Sequence, residues 1–306
     1  MAKQINFNAA YKKVLLVYLV IFVIGAVVAA IWGVNLDINF KGGTRITYSY
    51  KGDIKEDAVK KAVNGIIKED FTVSMSTSLA GDTKTVSLSL AGNKSLNAKT
   101  QEKITAAMEK AFDKNEIELY DSTSVSANIA GSFFLKSLVA VAIAAALVVV
   151  YVGFRFRKIG GFSAGMTALV ALVLDVLVTF FACVFFRLQI DSNYMAVILT
   201  ILGYSLNDTI VAFDRVRENK KLYPELSVAD NVNKSLNDVL VRNIVTSLTT
   251  FGAVLTVVAV SEVFGLTTLR TFGIPMAFGI ISGSISSIFV SCPLWVLWQN
   301  KKAAKK

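Results

Sequence analysis

Six long apolar runs, almost free of charge, divide the chain: Val14 to Val34, Phe133 to Phe154, Phe162 to Phe186, Tyr194 to Phe213, Val239 to Val260 and Thr271 to Trp298. At about 1.5 Å of rise per helical residue, each is long enough to cross a hydrocarbon layer about 30 Å thick. A buried soluble core accounts for one or two such runs. It does not account for six with hydrophilic segments between them. The pattern predicts an α-helical polytopic membrane protein with six transmembrane helices. The first run is about 21 residues, longer than the roughly 7–15-residue apolar core of a cleaved signal peptide, and reads as a retained span.

Between the first two runs the period changes. Asp37 to Tyr50 is rich in β-branched and aromatic residues and reads as a strand interrupted by Gly42-Gly43. Lys55 to Lys68 carries Val59, Ala62, Val63, Ile66 and Ile67 at helical spacing. Phe71 to Ser78 and Thr83 to Leu90 alternate polar and apolar around Ala80-Gly81-Asp82, a hairpin signal. Asn97 to Phe112 places Ile104, Ala107, Met108 and Ala111 on one helical face, and Glu116 to Ser126 reads as a last strand. The order is βαββαβ, a split-βαβ pattern similar to ferredoxin-like folds. Nothing in this α+β domain looks catalytic. Such a fold hosts many functions, so a structural or docking module and a contact for an extracytoplasmic substrate are both open.

Charge assigns direction. Asn35 to Ser132 holds 13 basic and 13 acidic residues, so the whole formal charge of +10 belongs to the rest of the chain. Basic residues concentrate in loops that stay in the cytoplasm. Lys3, Lys12 and Lys13 precede the first span, and Arg155, Arg157 and Lys158 follow the second. Arg215, Arg217, Lys220, Lys221 and Lys234 follow the fourth, and Lys301, Lys302, Lys305 and Lys306 the sixth. The alternate loops have only Lys136, Arg187 and Arg270 near helix ends. Strict alternation with the spans reports orientation in lipid, not a nucleic-acid surface. Both termini are expected in the cytoplasm. The expected organisation is an N-terminus and first span over 1–34, an extracytoplasmic domain over 35–132, and a five-helix region over 133–300. That region includes a cytoplasmic loop over 214–238, and a basic tail follows over 301–306.

Composition removes several chemistries. There is no His, so a histidine-dependent triad or metal site is excluded and proton chemistry falls to carboxylates. Cys183 and Cys292 fall in spans near opposite membrane faces and are not expected to pair. The spans offer no nucleophile–base pair, and Gly42-Gly43 is followed by neither a P-loop Lys-Ser/Thr nor GxGxxG. No enzyme activity, cofactor or metal is expected.

Ionisable residues inside spans are costly and mark function by default. Asp208 lies about 9 Å along the fourth helix from Asp214, too deep for an end residue. Ser205, Asn207 and Thr209 give it local hydrogen-bonding company. Arg242 opens the fifth span, and Arg242, Thr246, Thr249 and Thr250, with Ser247 beside them, define a polar helical face expected to point into protein or water. The antiparallel course of the two helices puts Asp208 and Arg242 at similar depth. An ion pair between them and a snorkelling Arg242 are both open. Asp175 sits deep in the third span with no local polar neighbour, as a proton relay or a structural hydrogen-bonding group. Gly279 and Gly283, with Ser284, Ser286 and Ser287, form a small-residue surface for helix packing. Ser227 to Leu240 carries Val228, Val232, Leu236 and Leu240 on one face and reads as an amphipathic helix on the cytoplasmic surface.

The run Gly203-Tyr204-Ser205-Leu206-Asn207-Asp208-Thr209-Ile210-Val211-Ala212-Phe213-Asp214-Arg215-Val216-Arg217-Glu218-Asn219 resembles the signature of the SecD/SecF family of Sec translocon accessory subunits, in its SecF branch. Asp37-Ile38-Asn39-Phe40-Lys41-Gly42-Gly43-Thr44 resembles that family's element after the first span, and Asn237 to Thr250 its fifth span. Leu174 departs from the pattern, since the family usually has a His before the third-span Asp. Ser124 to Gly131 lacks the family's Pro. The resemblance implies half of a resistance-nodulation-division architecture, completed to twelve helices by SecD, in the bacterial cytoplasmic (inner) membrane. It implies work with SecYEG, with YajC and YidC as further partners, on a translocating polypeptide. It also implies use of the proton motive force after the ATP-driven step, sodium being an equivalent ion for the same carboxylates. The family's functional charges fall on Asp208 and Arg242. Half of a small-molecule exporter and a non-transporting assembly factor are the competing readings. The first favours a twelve-helix chain or two large external loops, and the second needs no titrating Asp208.

Overall fold

The computed structural model describes residues 5–67, 71–77, 84–91 and 97–304. The turn expected at Ala80-Gly81-Asp82, the expected element ends Lys68, Ser78 and Thr83, and the basic residues Lys3, Lys305 and Lys306 lie outside them. Among the described residues six helices are long and apolar enough to cross a membrane. They are α1 (Phe7–Trp32), α5 (Ala127–Arg155), α6 (Gly161–Phe185), α7 (Ser192–Leu222), α8 (Val228–Val263) and a sixth made of three consecutive pieces. Those pieces are α9 (Thr267–Ser286), a π-helical turn (Ser287–Ser291) and α10 (Cys292–Ala303). Side-chain caps start four of them: Asn6, Ser126, Asp191 and Ser227 each accept a backbone N–H that the first turn leaves free. Pro293 has no N–H to give, and the backbone widens into the π-turn just before it.

Burial separates centre from periphery. In the most apolar window of α5 only 6% of residues are buried, against 67% in the sixth span, so the latter runs through the middle of the bundle. Small residues allow this. A Cβ on Gly279 would run into Ile201 of α7 and Thr179 of α6, and one on Gly283 would sit 3.0 Å from Ser205 Cβ. An apolar cluster of Phe7, Phe156, Phe213, Leu236 and Trp295 closes the end of the bundle that carries both termini. Ile5 and Phe7 donate their N–H groups to Asn237 and Asn233 at that same end.

The expected loop over 214–238 is not a loop. Helix α7 continues to Leu222 and α8 begins at Val228, leaving a short connection. The apolar face of the 227–240 segment packs Val232 and Leu236 against Phe213 and Val216, while Val228 at its start stays exposed. Asn231 Nδ2 donates to the Val216 carbonyl, and Asn219 Nδ2 to Ser235 Oγ and Asp238 Oδ2. Partners from α7 thus turn an interfacial-looking segment into the first turns of the fifth span. The second span also starts earlier than its apolar run, at Ala127.

The segment between α1 and α5 forms a separate sheet unit. Its elements are a short helix α2 (Ile38–Lys41), β1 (Gly43–Tyr50), α3 (Glu56–Val63), β2 (Phe71–Thr77), β3 (Lys84–Ala91), α4 (Ala98–Ala111) and β4 (Glu118–Val125). The strands lie in the order β2-β3-β1-β4 with every pairing antiparallel. Alternation along β1 sends Ile46, Tyr48 and Tyr50 into a core with Val59 and Val63 of α3, Val86 and Leu88 of β3, and Ile104 and Met108 of α4. The strand expected over Asp37 to Tyr50 is therefore only its second half. The first half turns helical because Asp37 caps it, accepting the Asn39 N–H at 3.0 Å. Gly42 then takes φ 81°, where a Cβ would crowd Ala127 Cα at 3.0 Å.

A clasp joins this unit to the bundle. Leu36 and Ile190 form a parallel bridge, with Asp37 N–H donating to Ile190 O at 3.0 Å and Ile190 N–H to Asn35 O at 2.8 Å. The buried Asp37 carboxylate also receives the Arg45 guanidinium of β1. Phe40 packs against Phe133 tilted and Phe134 edge-on, both of α5, with ring centroids 5.4 and 5.8 Å apart.

Candidate functional site

Every polar residue singled out on α7 has a definite place, and they do not all gather at Asp208. Ser205, Asp208 and Thr209 are buried, whereas Gly203 and Asn207 face outward. Ser205 and Thr209 turn away from Asp208. Ser205 Oγ donates to Asp175 Oδ2 at 2.7 Å, and Thr209 Oγ1 donates to Ser287 Oγ at 3.0 Å. The expected local company of Asp208 thus serves a neighbouring network.

Asp208 itself is 2% exposed. Its Oδ2 accepts one long hydrogen bond, from Ser247 Oγ of α8 at 3.5 Å, and Tyr204 Oη donates to Ser247 Oγ at 3.3 Å. A 3.5 Å contact is at the weak limit of hydrogen bonding. A buried carboxyl held this loosely has little to fix its position.

Arg242 does not pair with Asp208. Among the described residues it makes no ion pair, and it is exposed. It lines a cavity of about 490 Å³ at the terminal end of α7 and α8, with Asp214, Arg215, Arg217, Glu218, Lys221 and Asp238. There Asp214 receives Arg155 and Arg217 at 3.0 and 2.7 Å, and Arg215 reaches Glu218 and Asp238, both at 2.9 Å. The long side chain carries its charge toward that polar cavity, the snorkelling alternative.

The polar face of α8 is also rotated from expectation. Arg242 and Thr249 are exposed, and Thr246 and Thr250 half-buried. Thr249 and Thr250 donate to carbonyls of their own helix. The buried polar residues are Asn243 and Ser247, four apart on the adjacent face. Both side-chain polar atoms of Asn243 are buried without a hydrogen-bond partner among the described residues. The sequence contains this second stripe too. The Arg242 stripe drew the reading because it carries the charge.

Asp175 has the partners its own helix lacks. It is fully buried. Its Oδ1 accepts from Ser282 Oγ at 2.6 Å, and its Oδ2 from Ser205 Oγ at 2.7 Å and Ser286 Oγ at 2.9 Å. Tyr18 of α1 reaches Ser282 Oγ at 3.0 Å. Ser282 and Ser286 are one turn apart on the sixth span, a spacing that flags a shared face. Nothing in the sequence points to Tyr18. Cys183 and Cys292 are buried free thiols, and among the described residues no group of three His, Cys, Asp or Glu side chains gathers to hold a metal.

Comparison with known proteins agrees with this architecture. Residues 103–301 match the family described as protein export membrane protein SecD/SecF, C-terminal. The protein translocase subunit SecF of Sebaldella termitidis is 34% identical over 276 residues, covering 90% of this chain and 85% of that relative. The SecF subunit of Alicyclobacillus acidocaldarius is 33% identical over 292 residues, covering 93% and 90%. The SecDF subunit of Bacillus subtilis is 32% identical over 98% of this chain, which spans 39% of that longer protein. Among solved structures, SecDF of Thermus thermophilus, described as a translocon-associated membrane protein, superimposes with a TM-score of 0.79 at 26% identity, over 98% of this chain and 39% of that one. With six apolar helices, a family match across most of the bundle and relatives above 30% identity along nine-tenths of its length, this multi-pass membrane chain belongs to the SecD/SecF family of protein export membrane proteins.

Proposed function

We propose that the chain is the SecF-type half of an export unit. With SecD it draws on the proton or sodium motive force to promote late steps of protein export across the bacterial cytoplasmic membrane. The observation that carries the ion-coupled part is Asp208, a carboxyl 2% exposed inside a span and held by a single 3.5 Å contact from Ser247. A group so placed gains or loses a charge at large energetic consequence, and its neighbours must rearrange when it does.

SecD partnership has its own support. Asn207 is exposed on a span, where contact with hydrocarbon is costly. A SecD half covering it removes that cost, and this chain spans only 39% of the relatives named SecDF, which leaves length in the same chain for such a half. The termini and the charged cavity are assigned to the cytoplasm by the positive-inside rule, and residues 35–132 to the other side. The sheet unit reads as ferredoxin-like on its strand order β2-β3-β1-β4. There it contacts the emerging polypeptide together with SecD, while SecYEG, YajC and YidC are the neighbouring machinery.

The test is export of a secretory reporter in cells depleted of their own subunit. They are rescued with this chain or with Asp208→Asn at equal membrane abundance, together with SecD. The wild type is expected to restore export and the neutral variant to assemble without restoring it. Equal rescue by both removes the coupling role and leaves a scaffold.

A further inference from the structure

On two adjacent helices the change from apolar to charged sequence falls at the same level. On α7 the apolar run ends at Phe213 and Asp214 follows. On α8 the charged first turns end at Arg242, and Ile244 and Val245 follow. The cavity of about 490 Å³ opens at this level, between the two helices. It has the size of a small-ligand pocket, about 300–1,000 Å³. Its lining is mixed, with Ile210, Val211 and Val239 beside the charged groups.

Most of that charge is already paired. Asp214 receives Arg155 and Arg217, and Arg215 holds Glu218 and Asp238, all at 2.7 to 3.0 Å. Three acids thus meet three guanidiniums. Two cations of the lining are left over, Lys221 and Arg242. Both are exposed, and neither makes an ion pair among the described residues. The charge that the cavity offers to a visitor is therefore positive, despite the acids in its wall. A guanidinium matches phosphate oxygens as a fork, and an ammonium binds them as a point charge.

The adjoining surface selects the kind of anion. Val241, Ile244, Val245 and Leu248 are exposed on α8 beside and beyond Arg242. On a spanning helix such a face meets hydrocarbon. A ligand with an anionic head and apolar chains uses both the cavity and that face, whereas a free phosphate uses only the cavity. We infer that the cavity between α7 and α8 binds an anionic phospholipid, its phosphate held by Arg242 and Lys221 and its acyl chains lying along Val241, Val245 and Leu248. Basic pockets between spanning helices suit such headgroups. The site needs only a lipid boundary at the cavity. It rests neither on ion coupling through Asp208 nor on export.

The experiment is native mass spectrometry of the purified chain in detergent, alone and with SecD, with thermal unfolding in parallel. Phosphatidylglycerol is titrated against phosphatidylethanolamine of the same chains. A ligand held only by the folded state raises the midpoint as it saturates. Phosphatidylglycerol is expected to bind and to raise it, and the zwitterionic lipid to do neither. Arg242→Gln and Lys221→Gln are each expected to raise the half-saturating phosphatidylglycerol concentration about fivefold. Lys301→Gln, which removes an exposed cation outside the cavity, is expected to leave it unchanged. Equal binding of the two lipids, or an equal shift in Lys301→Gln, would reduce the effect to general surface charge and overturn the site. Equal stabilisation by inorganic phosphate would make it a site for a soluble anion and overturn the lipid. Loss of the preference once SecD is present would put an acidic group of that partner in the cavity, with the same consequence.

Discussion

At the scale of single residues, two carboxyls in adjacent helices meet opposite treatment. Asp175 is held by three serine hydroxyls at 2.6 to 2.9 Å, Asp208 by one at 3.5 Å. Removing a donor from the first leaves a buried polar group short of a partner, which costs about 1–3 kcal/mol. Ser205→Ala is therefore expected to lower the thermal unfolding midpoint clearly. Ser247→Ala, which deletes only the long contact, is expected to lower it much less. Equal effects in the same detergent would show that the two sites are held alike. The sequence made both aspartates legible because charge in an apolar run is conspicuous. It hid their partners because Ser282 and Ser286 come from a helix more than 100 positions away. The expected pairing with Arg242 failed for a related reason. Depth is readable from helical rise, but the direction in which a long flexible cation bends depends on where polar space lies, here the cavity beside Asp214 and Asp238.

At the scale of elements, the sixth span is the one others pack around, and its glycines set the distance. Gly279→Val is expected to prevent close approach to Ile201 and Thr179 and to reduce folded, membrane-extracted protein sharply. Gly203→Ala is the matched control. A Cβ there meets nothing within 4 Å, and the exchange favours the helix by roughly 0.5–1 kcal/mol. Size-exclusion yield of both variants checks the contrast, and similar losses would remove the close-packing role. The existence of the six spans and the strands of the sheet unit was readable because each rests on a long run or a repeating period. The ends were not. The charged continuation of α7 to Leu222 and the start of α8 at Val228 look like a loop, because charge there reflects exit from lipid and not exit from a helix. The brief α2 was invisible for the opposite reason: it is a single turn, created by an Asp37 cap inside a strand-like composition.

At the scale of the whole molecule, alternation of charge and spans makes a definite claim about sidedness. A cysteine at Thr123 of β4, in a background lacking Cys183 and Cys292, is expected to react with a membrane-impermeant maleimide in intact spheroplasts. A cysteine at Glu225, in the turn between α7 and α8, is expected to react only after the membrane is opened. The reverse pattern would invert the topology. The clasp at Leu36 and Ile190 then acquires a meaning beyond fastening. The lead-in at Asn35 to Asp37 shares backbone hydrogen bonds with the bend leading into α7, and the Asp37 carboxylate ties that lead-in to Arg45 of β1. The sheet unit behaves as a lever whose fulcrum is the very turn from which the Asp208 helix springs. A sliding or tilting of α7 is expected to move the sheet unit with it through this clasp. Asp37→Ala keeps the backbone bridge to Ile190 but removes the Arg45 pair and the cap of α2, and is expected to loosen the coupling between the bend and β1.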